Sequence, residues 1–158
     1  MTILPHDCPD EALGDHIAGL QQPLVFTNGV FDVLHRGHVE YLARARALGG
    51  SLVVGINTDR SARGLGKGPD RPINTAADRA AVVAALRAVT LVVMFDERTP
   101  VERVWRVRPD IYVKGGDYAI EDLPEADVMR QIGGRTVILP FMTGYSTTGL
   151  VARMRAGA

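Results

Sequence analysis

Apolar residues in this chain fall into short solid blocks, separated by longer stretches in which they recur every three or four positions. The blocks are LVFTNGVF (Leu24 to Phe31), SLVVGINT (Ser51 to Thr58), VTLVVMF (Val89 to Phe95), IYVKGG (Ile111 to Gly116) and RTVILP (Arg135 to Pro140). Each is rich in β-branched residues and too short for a helix, which predicts five strands. Their apolar positions are continuous rather than alternating, as in strands covered on both faces. Between them, HVEYLARARALGG, TAADRAAVVAALRA, TPVERVWRVR, LPEADVMRQIGG and STTGLVARMR carry helical spacing. Gly49 and Gly50 stop the first, Asn74 or Thr75 is placed to cap the second, and Thr99 to cap the third with Pro100 in its first turn. Strands alternating with such helices predict a single-domain, Rossmann-like, doubly wound parallel five-stranded sheet with helices on both faces. Residues 1–22 read as an N-terminal helical extension and 23–158 as the main domain. The segment DRSARGLGKGPDRPIN (59–74) has no period and several glycines, and reads as a mobile functional loop.

Composition narrows this picture by exclusion. The chain has 158 residues, enough for one domain that buries ~70% of the surface its unfolded form exposes. Lys plus Arg and Asp plus Glu number 18 each, so there is no broad cationic face for a nucleic acid, and any anion site is local. A single cysteine, Cys8, excludes an internal disulfide and fits a reducing compartment. The start MTILPHDCPD lacks the basic and apolar regions of a leader, and the longest plain apolar run, AAVVAAL, is too short to span a bilayer. The expectation is a soluble cytoplasmic protein that works without a membrane, and a homo-oligomer is compatible with these features.

In a doubly wound sheet, ligands bind at the carboxyl ends of the strands near the switch in strand order. Four loops are expected there, and they hold most of the chemistry. Asn28-Gly29 is placed to let the chain turn after the first block, and His35-Arg36-Gly37-His38 follows at the start of a helix. Free N–H groups and the helix dipole favour an anion at such a start. Residues three apart share a face, so both imidazoles can aim at one phosphate, and Gly37 clears room for it. The spacing of Asp32, His35 and His38 also suits a metal triad, which the positive helix end disfavours. Ser146-Thr147-Thr148 are placed either to cap the last helix or to form a second anion site. Lys114, Gly115 and Asp117 fit the approach of a nucleotide, the glycine by giving backbone access. Lys67 and Arg71 in the Gly-rich segment suit a lid that closes on a substrate phosphate. Arg79, on an otherwise apolar helix, points equally to a buried ion pair and to a phosphate contact. Neither a Walker loop nor a dinucleotide fingerprint is present.

H-x-G-H after NGVFD and S-T-T before the last helix resemble the nucleotidyltransferase superfamily, over nearly all of Pro23 to Arg155. As a set, RPINTAADRAAVVAAL, VKGGDY and GYSTT are similar to the adenylyltransferase half of bifunctional ADP-heptose synthases. The resemblance implies that residues 23–158 form a nucleotidyltransferase domain joining ATP and D-glycero-β-D-manno-heptose 1-phosphate to give ADP-heptose and pyrophosphate, with Mg²⁺, for lipopolysaccharide core heptose. It further implies a separate sugar kinase upstream. By the same resemblance His35 and His38 hold the triphosphate and are the catalytic pair. Thr27, Asn28, Gly29, Gly37, Lys114, Gly115, Asp117, Ser146, Thr147 and Thr148 bind the nucleotide, and Asp32, Lys67, Arg71 and Arg79 lie on the sugar phosphate side. Some members of the superfamily carry an arginine shortly after the S-T motif, where this chain has Gly149-Leu150-Val151. The residues alone leave two rivals standing: a cytidylyltransferase for glycerol 3-phosphate or a similar small phosphate, and a nucleotide-binding regulatory module.

Overall fold

A computed structural model describes residues 2–66, 68 and 70–157. Its elements run in the order β1 (Thr2–Leu4), α1 (Asp10–Ala18), β2 (Leu24–Gly29), α2 (Arg36–Arg46), β3 (Ser51–Asn57), α3 (Asp59–Arg63), α4 (Ala76–Ala84), β4 (Leu91–Phe95), α5 (Val101–Val107), β5 (Ile111–Gly115), α6 (Pro124–Gln131), β6 (Arg135–Leu139) and α7 (Thr147–Ala156). The strands form one sheet in the order β1-β4-β3-β2-β5-β6, with every recorded pairing parallel. The doubly wound architecture is as predicted, but with six strands rather than five. The extra one, Thr2–Leu4, pairs along the edge of β4 with Leu4 opposite Val93. Three residues are too few for any period to show in sequence, and α1 follows where the leading helix was expected.

Two apolar layers sandwich the sheet. On one face Leu42 and Ala45 of α2 and Ala80 and Val83 of α4 pack with Val25, Val54 and Ile56. On the other, Leu13 of α1, Val104 and Val107 of α5 and Met129 of α6 cover Phe26, Val53 and Tyr112. All seven residues of β3 are buried, which accounts for its unbroken apolar run. Full burial of each Leu, Val, Ile, Phe or Met side chain in these layers stabilises the fold by ~1.5–3 kcal/mol.

Helix caps differ in part from expectation. Thr75 caps α4 by accepting from the Asp78 N–H at 3.2 Å. Helix α5 begins at Val101, with Pro100 in the cap position and no side-chain cap, so Thr99 lies outside it. The Gly-rich segment opens with a turn of helix, α3, whose N-cap Thr58 accepts from the Ser61 N–H. Its buried residues, Ser61 and Ala62, are small, which is why no apolar signal marks it. The sheet order changes direction at β2, whose neighbours are β3 and β5, and a crevice opens at that switch point.

Candidate functional site

The crevice encloses about 540 Å³, within the usual range for small-molecule sites, and is lined from the loops that follow β2, β4, β5 and β6, with Asn57 at the end of β3 and Leu65 in the segment after it. Its centre is the first turn of α2. His35 is the N-cap, in extended conformation and without a side-chain cap bond, so its ring is free to lie over the helix start. The imidazoles of His35 and His38 stack at 3.8 Å with 17° between their planes, the shared face expected from their spacing. Phe31 supports them from below, its ring edge-on to His38 at 5.3 Å. To do so it adopts a left-handed backbone (φ 48°), a strained conformation for an aromatic residue. Burial lowers the His35 pKa below its ordinary value, against a smaller opposing pull from the backbone. The ring is therefore neutral at pH 7 in the free protein.

Gly29, Gly37 and Gly115 all line the crevice, and each also leaves room for a neighbouring side chain. Gly29 ends β2 rather than forming a turn, and a Cβ on it would meet the Phe31 ring at 2.9 Å. A Cβ on Gly37 would meet Tyr145 at 2.9 Å and the His35 ring at 3.1 Å, so Gly37 makes room for the imidazole stack and the last loop. Gly115 brings the crevice wall against Phe141, which a Cβ would meet at 2.5 Å.

Facing the histidines is the start of α7. Ser146 caps it by accepting from the Gly149 N–H at 3.0 Å, so the capping reading holds, and Ser146, Thr147 and Thr148 all line the crevice as well. Thr147 donates to the Val33 carbonyl at 3.5 Å and ties the two helix starts together.

Several other expected contacts belong to the scaffold instead. Thr27 is fully buried, and its hydroxyl donates to the Val113 carbonyl at 2.8 Å and sits 2.7 Å from the Tyr41 hydroxyl, so its side chain joins β2 to β5 rather than facing a nucleotide. Burial pushes the Tyr41 phenol up to about 12, which keeps it a neutral strut. Arg79 is 1% exposed, and its fork donates to the carbonyls of Asn74, Val30 and Asn57 and to the Asp59 carboxylate. It is the buried ion pair, and it cannot reach a substrate. Asp32 and Arg71 are brought together, but with each other: the Arg71 Nε donates to Asp32 at 2.6 Å. The N–H groups of Ile73 and Asn74 donate to the same carboxylate at 2.8 and 2.9 Å. Asp117 is exposed on the loop after β5, outside the lining of the crevice. Lys67 lies outside the described residues.

The wall formed by β5 and α6 holds a group that the sequence did not single out. Lys114 Nζ lies 3.8 Å from Glu125 Oε1 and 3.4 Å from the Tyr112 hydroxyl, which donates to Asn28 Oδ1 at 2.8 Å. Glu125 is 3% exposed. In sequence it is an ordinary acidic residue of a helix's first turn, so nothing marked it. The exposed aromatics Tyr118 and Phe141 border this wall, and Arg98 and Thr99 reach the crevice from the loop after β4. Among the described residues no group of three or more His, Cys, Asp or Glu side chains could hold a metal ion, and Asp32 is turned to Arg71 and the loop amides.

Comparison with known proteins places this geometry. A family description, cytidylyltransferase-like, matches residues 26–153. The D-beta-D-heptose 1-phosphate adenylyltransferase of Bordetella bronchiseptica is 55% identical over 138 residues, 87% of this chain and 85% of that protein. The bifunctional protein HldE of Streptomyces coelicolor is 46% identical across all of this chain, which spans 34% of its length. Among solved structures, the lipopolysaccharide core biosynthesis protein from Thermoplasma volcanium superposes with a TM-score of 0.62 at 32% identity, covering 78% of this chain and 98% of that one.

Proposed function

Since this chain belongs to the cytidylyltransferase-like family, and within it to the group of heptose 1-phosphate adenylyltransferases, we propose that it joins ATP and D-glycero-β-D-manno-heptose 1-phosphate. The products are ADP-heptose and pyrophosphate, for lipopolysaccharide core synthesis in the cytoplasm, with a separate sugar kinase providing the 1-phosphate. The observation that carries the chemistry is the stacked imidazole pair on the start of α2, facing a second helix start across one crevice. Two N-terminal helix dipoles and their first-turn amides suit a triphosphate.

In the reaction an oxygen of the sugar phosphate attacks the α-phosphorus, and the bond to the bridging oxygen of pyrophosphate breaks. That nucleophile is already ionised at neutral pH, so no covalent intermediate and no strong base are required. His35 and His38 hold the α- and β-phosphates and donate hydrogen bonds to oxygens that gain charge in the transition state, while the Arg36 and Gly37 amides support them. The start of α7 with Thr148 takes the far phosphates. Catalysis is then alignment and preorganised electrostatics. Mg²⁺ supplies charge neutralisation on the triphosphate. With both crevice carboxylates facing protein cations and no ligand cluster among the described residues, those residues offer no cage for it, and the triphosphate oxygens would be its main ligands.

The test is a pyrophosphate-release screen of ATP and CTP against sugar phosphates and glycerol 3-phosphate. ATP with the heptose 1-phosphate should turn over best and mannose 1-phosphate much less, because a site built for sugar hydroxyls rejects acceptors lacking them. A preference for CTP with glycerol 3-phosphate would overturn the substrate assignment, and tight nucleotide binding without turnover would favour a regulatory module.

A further inference from the structure

Two carboxylates line the crevice among the described residues, and they are equipped very differently. Asp32 accepts three hydrogen bonds, from Arg71, Ile73 and Asn74. Glu125 is as deeply buried, yet among the described residues its Oε1 has only the Lys114 ammonium at 3.8 Å, and its Oε2 has no hydrogen-bond partner. An under-partnered buried carboxylate costs the free protein stability. Such a group in the wall of a binding crevice awaits a donor that arrives with the ligand. Rotation about the last side-chain bond exchanges its two oxygens at little cost, so either can meet that donor.

Resting on the adenylyltransferase reading, we infer that Glu125 and Lys114 read the edge of the nucleotide's base, Glu125 accepting from the exocyclic amine and Lys114 donating to the adjacent ring nitrogen. The pair presents one acceptor beside one donor. The Watson–Crick edge of adenine offers the complement, an amine beside an unprotonated ring nitrogen. Inosine carries a carbonyl oxygen and a protonated ring nitrogen at the same two places, which sets oxygen against carboxylate and N–H against ammonium. Tyr118 and Phe141, 52% and 65% exposed beside this wall, offer ring faces for the base. The close approach of Gly115 to Phe141 and of Gly116 to Tyr118 keeps those rings against the backbone. Cytosine shares adenine's edge pattern, so the pair selects amino bases over keto bases, and it is a specificity determinant rather than a participant in the phosphoryl step.

The test compares ATP with inosine triphosphate, in equilibrium binding by calorimetry and in pyrophosphate release. Wild type should favour ATP by roughly 10²-fold or more, since a site built for a hydrogen bond rejects the analogue that cannot make it. Glu125→Gln, whose amide can turn its NH₂ to a carbonyl oxygen, should bring the two nucleotides to within about tenfold. Its thermal midpoint should be unchanged or raised, which a structural carboxylate would not allow. Glu125→Asp, which keeps the charge but draws it back, should fall between the two. Equal binding of both nucleotides by wild type, or an ATP preference that persists in Glu125→Gln, overturns the inference. If ATP is preferred in binding but no heptose phosphate is turned over, the base reading stands and the acceptor assignment fails.

Discussion

The two walls of the crevice are built on opposite principles. On the side of β3 and α4, polar groups are spent on one another: Arg79 holds the carbonyls of Asn74, Val30 and Asn57 and the Asp59 carboxylate, and Asp32 holds Arg71 and two loop amides. On the side of β5 and α6, Lys114 and Glu125 make one loose contact and leave bonding capacity over. The first wall fixes the shape of the loop at residues 71–75, and the second keeps groups for a ligand. Sequence gives both the same appearance, isolated charged residues after strands or on helices. What separates them is whether tertiary neighbours have used up the hydrogen bonds.

The largest effect that tests this division is on folding. Arg79→Met removes a cation with no exposed side-chain surface and strands its carbonyls and Asp59, so it should cost about 3–5 kcal/mol in denaturant unfolding. A loss under about 1 kcal/mol would mean that the first wall does not depend on this hub.

Next comes chemistry. His35→Ala and His38→Ala should each lower kcat by ~10²-fold or more, the scale for removing one preorganised group at a developing charge. Unfolding midpoints should stay near wild type and ATP binding should fall less than turnover. Near-normal kcat in either variant would take the imidazole pair out of the mechanism.

How far such roles were legible in sequence depended on how local they are. The parallel sheet showed because β3 is buried on both faces and so reads as a solid apolar block. The histidine pair showed because a separation of three at a helix start imposes a shared face. Strand β1 has three residues and its partner, β4, is almost ninety positions away, so it left no trace. Arg79 could be read only as far as two equal alternatives, because its partners Val30 and Asn57 come from a distant loop and from the end of β3. Thr27 and Tyr41 meet each other and the Val113 carbonyl of β5, and Glu125 matters only through Lys114, contacts that no local spacing encodes.

Asp32→Asn should have a smaller effect with a distinctive dependence on pH. Burial pushes the Asp32 carboxyl up, but the amides of Asn74 and Ile73 and the Arg71 guanidinium together outweigh it, and its pKa ends below the ordinary value. A lowered folded-state pKa means stability that is fully present above the unfolded value, ~3.9, and lost as pH falls through the folded one. The wild type should exceed the variant by roughly 1.5–3 kcal/mol near neutrality, the scale of a hydrogen bond to a charged group. That gap should close in acid, below about pH 4. A gap that stays constant from pH 7 to pH 3 would show that the carboxylate's charge contributes nothing.

The smallest effect concerns protons taken up with the nucleotide. Burial holds the His35 imidazole neutral in the free protein, and a triphosphate laid on the same helix start favours its cation. Its pKa should therefore rise on binding, so that ATP binding takes up part of a proton near neutral pH and affinity weakens as pH increases through the bound-state value. The change is bounded by one group, at most about tenfold per pH unit. Calorimetry in buffers of different ionisation heat, from pH 6 to 8, measures the uptake directly. His35→Asn, which keeps a hydrogen-bond donor but cannot titrate, serves as the control for the γ-phosphate's own protonation. Uptake in wild type that vanishes in His35→Asn places the proton on this ring. Identical uptake in both would mean that His35 binds phosphate as a neutral donor throughout, leaving the charge of the site to its helix ends and to Mg²⁺.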